Sequence, residues 1–407
     1  MHCSNKQLFT LWLGVIVSCS ASAQKIDVGG FVSQGLVHTT ANTFFDSKDE
    51  TSYKMTEIGL QASYVTQENF RLSGQVIYRN WGDIESTYLD YLFIDYGLYS
   101  RPTVNLSLRI GRIKSDYGLY NATRDIPSAR PSIFLPQSVY LDILRNSSTS
   151  YDGISFYGNV LAQYGTWNWA ASYGINPVDD ALTESIFGGA LQGDFDTHKS
   201  TKLNLSWESP NGNWLLGLGF EDQQVDFKPV NAPNAPVIVS PGFIEYERYI
   251  FSSQYFAPNW DLTLEYIYLD SSSAGFEFFA PNLPVELQPQ PQDLVRSTNV
   301  SDGGYVQYRY LLSEQLTLLL RYDVFFQDTD NRAGEITGAG GIIGQDFGAF
   351  AKDLTGGIKW QINERWIVQA EAHFVEGTGY ISPWVDVIPT VEDKYWEMFA
   401  LQASYSF

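Results

Sequence analysis

Tyr395-Trp-Glu-Met-Phe-Ala-Leu-Gln-Ala-Ser-Tyr-Ser-Phe407 is the stretch on which the fold turns. Taken at every second position it separates into two sets. Phe399, Leu401, Ala403, Tyr405 and Phe407 form one side, and Met398, Ala400, Gln402, Ser404 and Ser406 the other. A period of two marks a strand, because successive side chains leave opposite faces of a pleated backbone. An apolar strand ending on an aromatic, with no polar tail, fits a sheet whose last strand pairs with its first. In hydrocarbon such closure is required, since an open edge would leave backbone groups without hydrogen bonds.

Working outward, the same period predicts strands near 25–38, 53–65, 69–80, 86–98, 103–114, 151–161, 166–176 and 200–208. Further strands are predicted near 213–226, 243–256, 259–271, 303–313, 315–327, 351–362, 365–377 and 394–407. The total is about sixteen, and single-chain bacterial barrels have an even number. Every second connection is short: Thr66–Asn69, Tyr99–Pro102, Gln163–Thr166, Ser209–Asn213, Ala257–Asn259, Ser313–Gln315 and Asn363–Glu364. The others are mostly long and polar, among them 115–150, 177–199, 227–242, 272–302, 328–350 and 378–393. Strict alternation of this kind separates tight turns on one side of a membrane from loops on the other. Trp167, Trp207, Trp214, Trp260, Trp360 and Trp366 all fall beside the short turns and share parity with the apolar set. That is the placement of an interfacial aromatic girdle. The predicted fold class is therefore all-β, a transmembrane antiparallel β-barrel.

The N-terminus supports export. A polar segment with Lys6 precedes an apolar run from Leu8 to Val17 and then Ala21 and Ala23, the pattern of a secretory signal over residues 1–23. Ile16-Val17-Ser18-Cys19 is a competing lipoprotein-type cleavage site. The run is too short to cross a bilayer as a helix. Both cysteines, Cys3 and Cys19, lie in this segment, so residues 24–407 form one cysteine-free barrel domain without disulfides. The formal charge of −21 argues against nucleic acid as a partner.

If the apolar parity faces lipid, the other names the lumen. Arg71, Gln75, Arg79, Asn105, Ser107 and Arg109 then point inward, with Glu57, Gln61, Lys202, Asn204, Glu265, Gln307, Arg309, Arg321, Asp323, Lys359, Glu371 and His373. Dry burial of so many ionised groups would cost several kcal/mol each, so the expectation is a water-filled interior. The third outer loop, Ser115 to Ser150, carries Ile133, Phe134, Leu135, Val139, Leu141, Ile143 and Leu144, which a loop in water does not need.

The C-terminal strand resembles those of Gram-negative outer-membrane proteins, whose final Phe is read by the assembly machinery. The long third loop resembles that of the general bacterial porins, which folds toward the lumen and narrows it. Gly111-Arg112-Ile113-Lys114 with Tyr117-Gly118 is similar to a strand end of phosphate-selective porins, whereas the Pro-Glu-Phe-Gly-Gly loop signature of enterobacterial porins is absent. The resemblance implies pore-lining or constriction roles for Asp116, Arg124, Asp125, Arg130, Asp142 and Arg145 in the loop. Facing them would be Arg71, Arg79, Arg109, Arg112 and Lys114 on the wall. It further implies an outer-membrane porin for passive diffusion of small hydrophilic solutes and ions, in contact with lipid and lipopolysaccharide, and a homotrimer.

Opposed charges across a narrow aperture orient and filter solutes, and the basic wall leans toward anions. The alternatives are a substrate-specific uptake channel or receptor and, from another class, a barrel-embedded hydrolase. For the last, His38, His198 and His373 lack a Gly-x-Ser-x-Gly partner and metal-ligand spacing, so neither catalysis, metal nor cofactor is expected.

Overall fold

The computed structural model describes residues 25–66, 69–82, 84–178, 193–230, 238–275, 278–279, 297–334, 346–381 and 393–407. The proposed signal, residues 1–23, lies outside them. The chain runs through β1 (Lys25–Thr39), β2 (Thr51–Val65), β3 (Phe70–Trp81), β4 (Ile84–Arg101) and β5 (Val104–Lys114). After the third loop come β6 (Ser150–Ala162), β7 (Gly165–Ile175), β8 (Gly193–Glu208) and β9 (Trp214–Pro229). Two-residue strands β10 (Ile238–Val239) and β13 (Phe278–Phe279) pair only with each other. Between and after them run β11 (Gly242–Phe256), β12 (Trp260–Ala274), β14 (Ser297–Ser313) and β15 (Leu316–Phe326). The last three are β16 (Phe350–Gln361), β17 (Trp366–Glu376) and β18 (Tyr395–Ser406).

Apart from the β10–β13 pair, these strands form one closed antiparallel barrel of sixteen strands, each paired with its sequence neighbours and β1 with β18. The expected strands are all present. Three run longer by several residues: β4 from 84 to 101, β8 from 193 and β14 from 297. The extensions of β8 and β14 are polar, including Asp194, Asp196, His198, Thr298 and Asn299. Phe195 is an isolated apolar residue there, buried against Phe227, so hydrophobic alternation is lost while backbone pairing continues.

Two faces follow from the parity. Leu60, Val76, Ile94, Ile110, Leu205, Leu218, Leu264, Val306, Leu320 and Leu401 are exposed, as a lipid-facing surface requires. Toward the short turns the outward aromatics touch around part of the ring. Trp214 lies 4.8 Å from Tyr255, Tyr255 5.4 Å from Trp260, Trp260 5.8 Å from Tyr308, and Trp366 5.0 Å from Tyr405.

The seam aligns Phe31 with Ser406 and Thr39 with Met398. Gly30 and Phe407 exchange two backbone hydrogen bonds of 3.0 Å. A Cβ on Gly30 would meet the Phe407 ring and the Gly59 carbonyl oxygen, both at 2.6 Å. The exposed Phe407 ring can swing away, but the Gly59 carbonyl is held in the β1–β2 ladder, so a branched side chain cannot enter this register. Gly30→Val is expected to reduce the folded, heat-modifiable band on unboiled gels severely; a yield equal to wild type would show that the seam tolerates slippage.

Candidate functional site: the third loop and the cavity beside it

Residues 115–149 leave β5 and return to β6, yet their hydrogen-bond partners sit on strands around much of the ring. The Arg130 guanidinium donates to Glu57 on β2 at 2.5 Å. The Ile133 and Phe134 amides donate to the Glu371 carboxylate on β17, the second at 3.2 Å. The Ser138 amide donates to Asp323 on β15 at 3.2 Å, and the Leu119 amide to Glu265 on β12 at 2.9 Å. In the other direction, Arg321 donates to the Phe134 carbonyl at 3.1 Å. Lys359 donates to the carbonyls of Ser128 and Arg130, both at 2.9 Å. All these wall residues have inward parity. The loop therefore folds through the interior, and wall carboxylates and cations satisfy backbone groups that helix or sheet would otherwise pair.

Apolar packing reinforces this docking. Ile133 and Phe134 lie in a buried cluster with Val37, Met55, Trp81, Val375, Trp396 and Met398 from the wall. The Phe134 ring is 5.5 Å from Trp81 and 5.2 Å from Phe45 of the first loop. Leu135, Val139 and Tyr140 pack on Ile250, Ile267 and Tyr305 of β11, β12 and β14. The expectation of a wholly water-filled lumen is thus corrected: on these sides the interior is a packed core. The inward parity holds, but polar composition alone does not distinguish a charge facing water from one paired beneath a loop.

Under the loop lies an ion-pair cluster. Arg145 donates to Asp125 at 2.6 Å and to Glu57 at 3.2 Å, while Arg79 approaches Asp125 at 3.7 Å. Arg124 donates to Asp142 at 2.8 Å and to the Tyr140 carbonyl at 2.9 Å. Burial pushes the Asp125 carboxyl up, but Lys114, Arg145 and Arg79 outweigh it and hold the group well below its ordinary range. Asp125 is therefore an anion at physiological pH and a fixed counter-charge for its three cations.

The eleven residues anticipated for a constriction are consequently dispersed. Arg79, Arg124, Asp125, Arg130 and Arg145 are at most 2% exposed and serve as the loop's clamp. Asp142 closes that clamp from its edge through Arg124. Arg71 stands close to a short turn, its Nε donating to Ser63 and Ser73 at 2.9 Å. Arg112 has the parity of exposed Ile110 and forms a bidentate pair with Asp152, both bonds 2.7 Å, on the outward surface. A single-residue step in a strand reverses the side chain's face. Arg109, Lys114 and Asp116 border a cavity of about 510 Å³.

That cavity lies between loop residues 116–122 and the wall of β5 to β9 and β11. Arg109 donates to Asp95 at 3.0 Å and sits between the rings of Phe93 and Tyr157, at 4.4 and 4.6 Å. Lys114 donates to Asp90 at 2.7 Å and to Asp125. Asp116 accepts from Asn204 at 2.9 Å. The remaining polar lining is mostly uncharged: Asn105, Asn159, Asn168, Ser107, Ser155 and Ser206. Sequence reading places Asn105, Ser107 and Asn204 inward but does not name Asn159 and Asn168; the signal for the row is the recurrence of Asn at inward parity on successive strands. Elsewhere His373 is buried, one ring nitrogen 2.7 Å from Asp353 and the other 3.3 Å from Glu371. Neither nitrogen is left to activate a nucleophile.

No family model matches the chain, and no curated protein matches its sequence. The fold, in contrast, is that of solved Gram-negative outer-membrane porins. The anion-selective porin from Comamonas acidovorans superposes with a TM-score of 0.58 at 10% identity, over 95% of this chain and 100% of that one. The outer membrane channel DcaP of Acinetobacter baumannii gives 0.55 at 10% identity, over 95% and 99%. The trimer form of OmpT, an outer membrane protein of Vibrio cholerae, gives 0.53 at 13%, over 95% and 100%.

Proposed function

We propose that the chain is an outer-membrane porin, exported by a signal over residues 1–23, through which small hydrophilic solutes and ions diffuse passively. Solutes pass along the cavity between the third loop and β5–β9, and there is no reaction and no cofactor. The observation that carries this reading is the cavity itself: the packed loop fills the other sides of the ring but leaves a polar wall here. Arg109, Lys114 and Asp116 line the passage, and the buried cluster around Asp125 fixes its loop-side edge. Lipid and lipopolysaccharide surround the exposed aliphatic belt. The homotrimer is supported by the trimeric form of one structural neighbour and by a distinctive outward face. From β2 to β5 that face exposes Ile58, Leu60, Leu72, Val76, Leu92 and Ile94, whereas the exposed tryptophans stand on other strands.

Purified protein in a planar bilayer tests the proposal. Stepwise, ohmic conductance is expected. A correctly folded barrel that inserts and stays silent would replace the channel with a receptor or another membrane role.

A further inference from the structure

The cavity wall is ordered in horizontal rows set by strand register. Nearest the short turns, Ser100 pairs with Asn105, Asn105 with Asn159, Asn159 with Asn168, Asn168 with Ser206, and Ser206 with Gly217. These positions face inward, one per strand, so their polar groups repeat at the inter-strand spacing of about 4.8 Å. The row is partly self-bonded. Ser100 donates to Asn105 at 2.9 Å and the Asn105 amide donates to Asn159 at 3.0 Å. The Asn168 amide reaches Ser206 and Glu208 at 3.4 and 3.3 Å. Among the described residues the Asn159 amide N–H groups and the Asn168 side-chain carbonyl have no other partner, and both residues line the cavity, a donor beside an acceptor.

Two registers deeper runs a charged row, Asp95, Arg109, Ser155, Ser172, Lys202, Glu221 and Arg248, of which Arg109 and Ser155 line the cavity and the rest stand beside it in the wall. Each of its cations already has a carboxylate. Arg109 holds Asp95, while Lys202 and Arg248 both hold Glu221. Lys114 above them holds Asp90 and Asp125. An anion arriving here must displace an internal carboxylate. A cation meets Asp116, which accepts from Asn204, but also the extra positive charge left where Lys202 and Arg248 share Glu221. The cations Arg109, Lys202 and Arg248 are balanced by the carboxylates Asp95, Glu221 and Asp116, so neither sign gains a net counter-charge. A neutral polyol exchanges water for amide and hydroxyl partners one for one, at no cost in charge desolvation.

Resting on the channel reading, we infer that this passage is selective for neutral, polyhydroxylated solutes of the simple-sugar class. Asn105, Asn159 and Asn168 are its specificity-determining ladder. The basic wall residues are structural counter-ions and do not act as an anion filter.

Three measurements on the intact protein test this. In a potassium chloride gradient, wild type is expected to show a cation-to-anion permeability ratio within about twofold of one. In liposome swelling, glucose is expected to enter at least about fivefold faster than gluconate or glucosammonium, which match it in size. Asn159→Ala and Asn168→Ala are expected to lower the ratio of glucose entry to potassium chloride conductance about threefold. Tenfold preference for either ion, or gluconate entering as fast as glucose, would overturn the inference and leave the channel standing. Absence of any conductance would overturn the channel reading itself. The first two arms use wild type, so they decide the matter even when a variant does not fold.

Discussion

Arg145→Ala is expected to release the third loop from its dock. The guanidinium is buried, bonds Asp125, Glu57 and the Arg124 carbonyl, and lies 5.3 Å over the Trp81 ring. Its removal leaves two carboxylates buried with fewer partners, and breaking a buried pair in this way costs about 3–5 kcal/mol. The barrel's own ladder is untouched, so the loss falls on loop docking. In bilayers the conductance should rise and become noisy as the loop leaves the lumen, and limited proteolysis should cut between 125 and 145. Glu57→Gln keeps the shape and the hydrogen-bonding oxygen, so a smaller shift in the same direction is expected. Unchanged conductance and unchanged protease resistance in both variants would show that the apolar packing of Ile133 and Phe134 suffices alone.

Gly217→Trp is expected to cut conductance by at least about threefold. Gly217 faces the cavity, and a Cβ there would meet only the Ser252 side chain, at 3.4 Å and beyond. The backbone therefore accepts a larger residue, and an indole with roughly 150–250 Å² of surface would occupy much of the passage. Gly356→Trp is the control. That glycine has outward parity, no heavy atom lies within 4 Å of its would-be Cβ, and conductance should not change. A Gly217→Trp barrel that conducts like wild type would place the passage elsewhere in the lumen.

The barrel was legible because two independent patterns in the chain agree. Phe399, Leu401 and Tyr405 alternate with Gln402 and Ser404, and long connections alternate with short ones. Both reflect a bilayer, which constrains every strand alike. The interior was less legible, because it depends on one loop meeting distant strands. Arg79 and Arg109 both read as inward arginines, on β3 and β5. Arg79 proves to be sealed against Asp125, whereas Arg109 borders the cavity. Nothing local distinguishes them. Trp81, Trp396 and Met398 have inward parity too, and sequence alone does not say whether such side chains meet water or Phe134. Arg112 is placed on the lumen wall by the resemblance alone, whereas its parity matches Ile110 and its partner Asp152 lies on the outward surface.

The loop's partners also impose a chronology. Arg130 contacts both Glu57 and Gln402, the latter 272 positions away in the chain, and Ile133 contacts Glu371. These acceptors come side by side only when β1 has met β18, so the loop's full set of contacts is completed last, in the closed ring. Contacts formed after the transition state govern the rate of unfolding more than that of folding. Weakening them would leave assembly times nearly unchanged and shorten the lifetime of the docked state, with an empty, wide-bore ring as the species that accumulates.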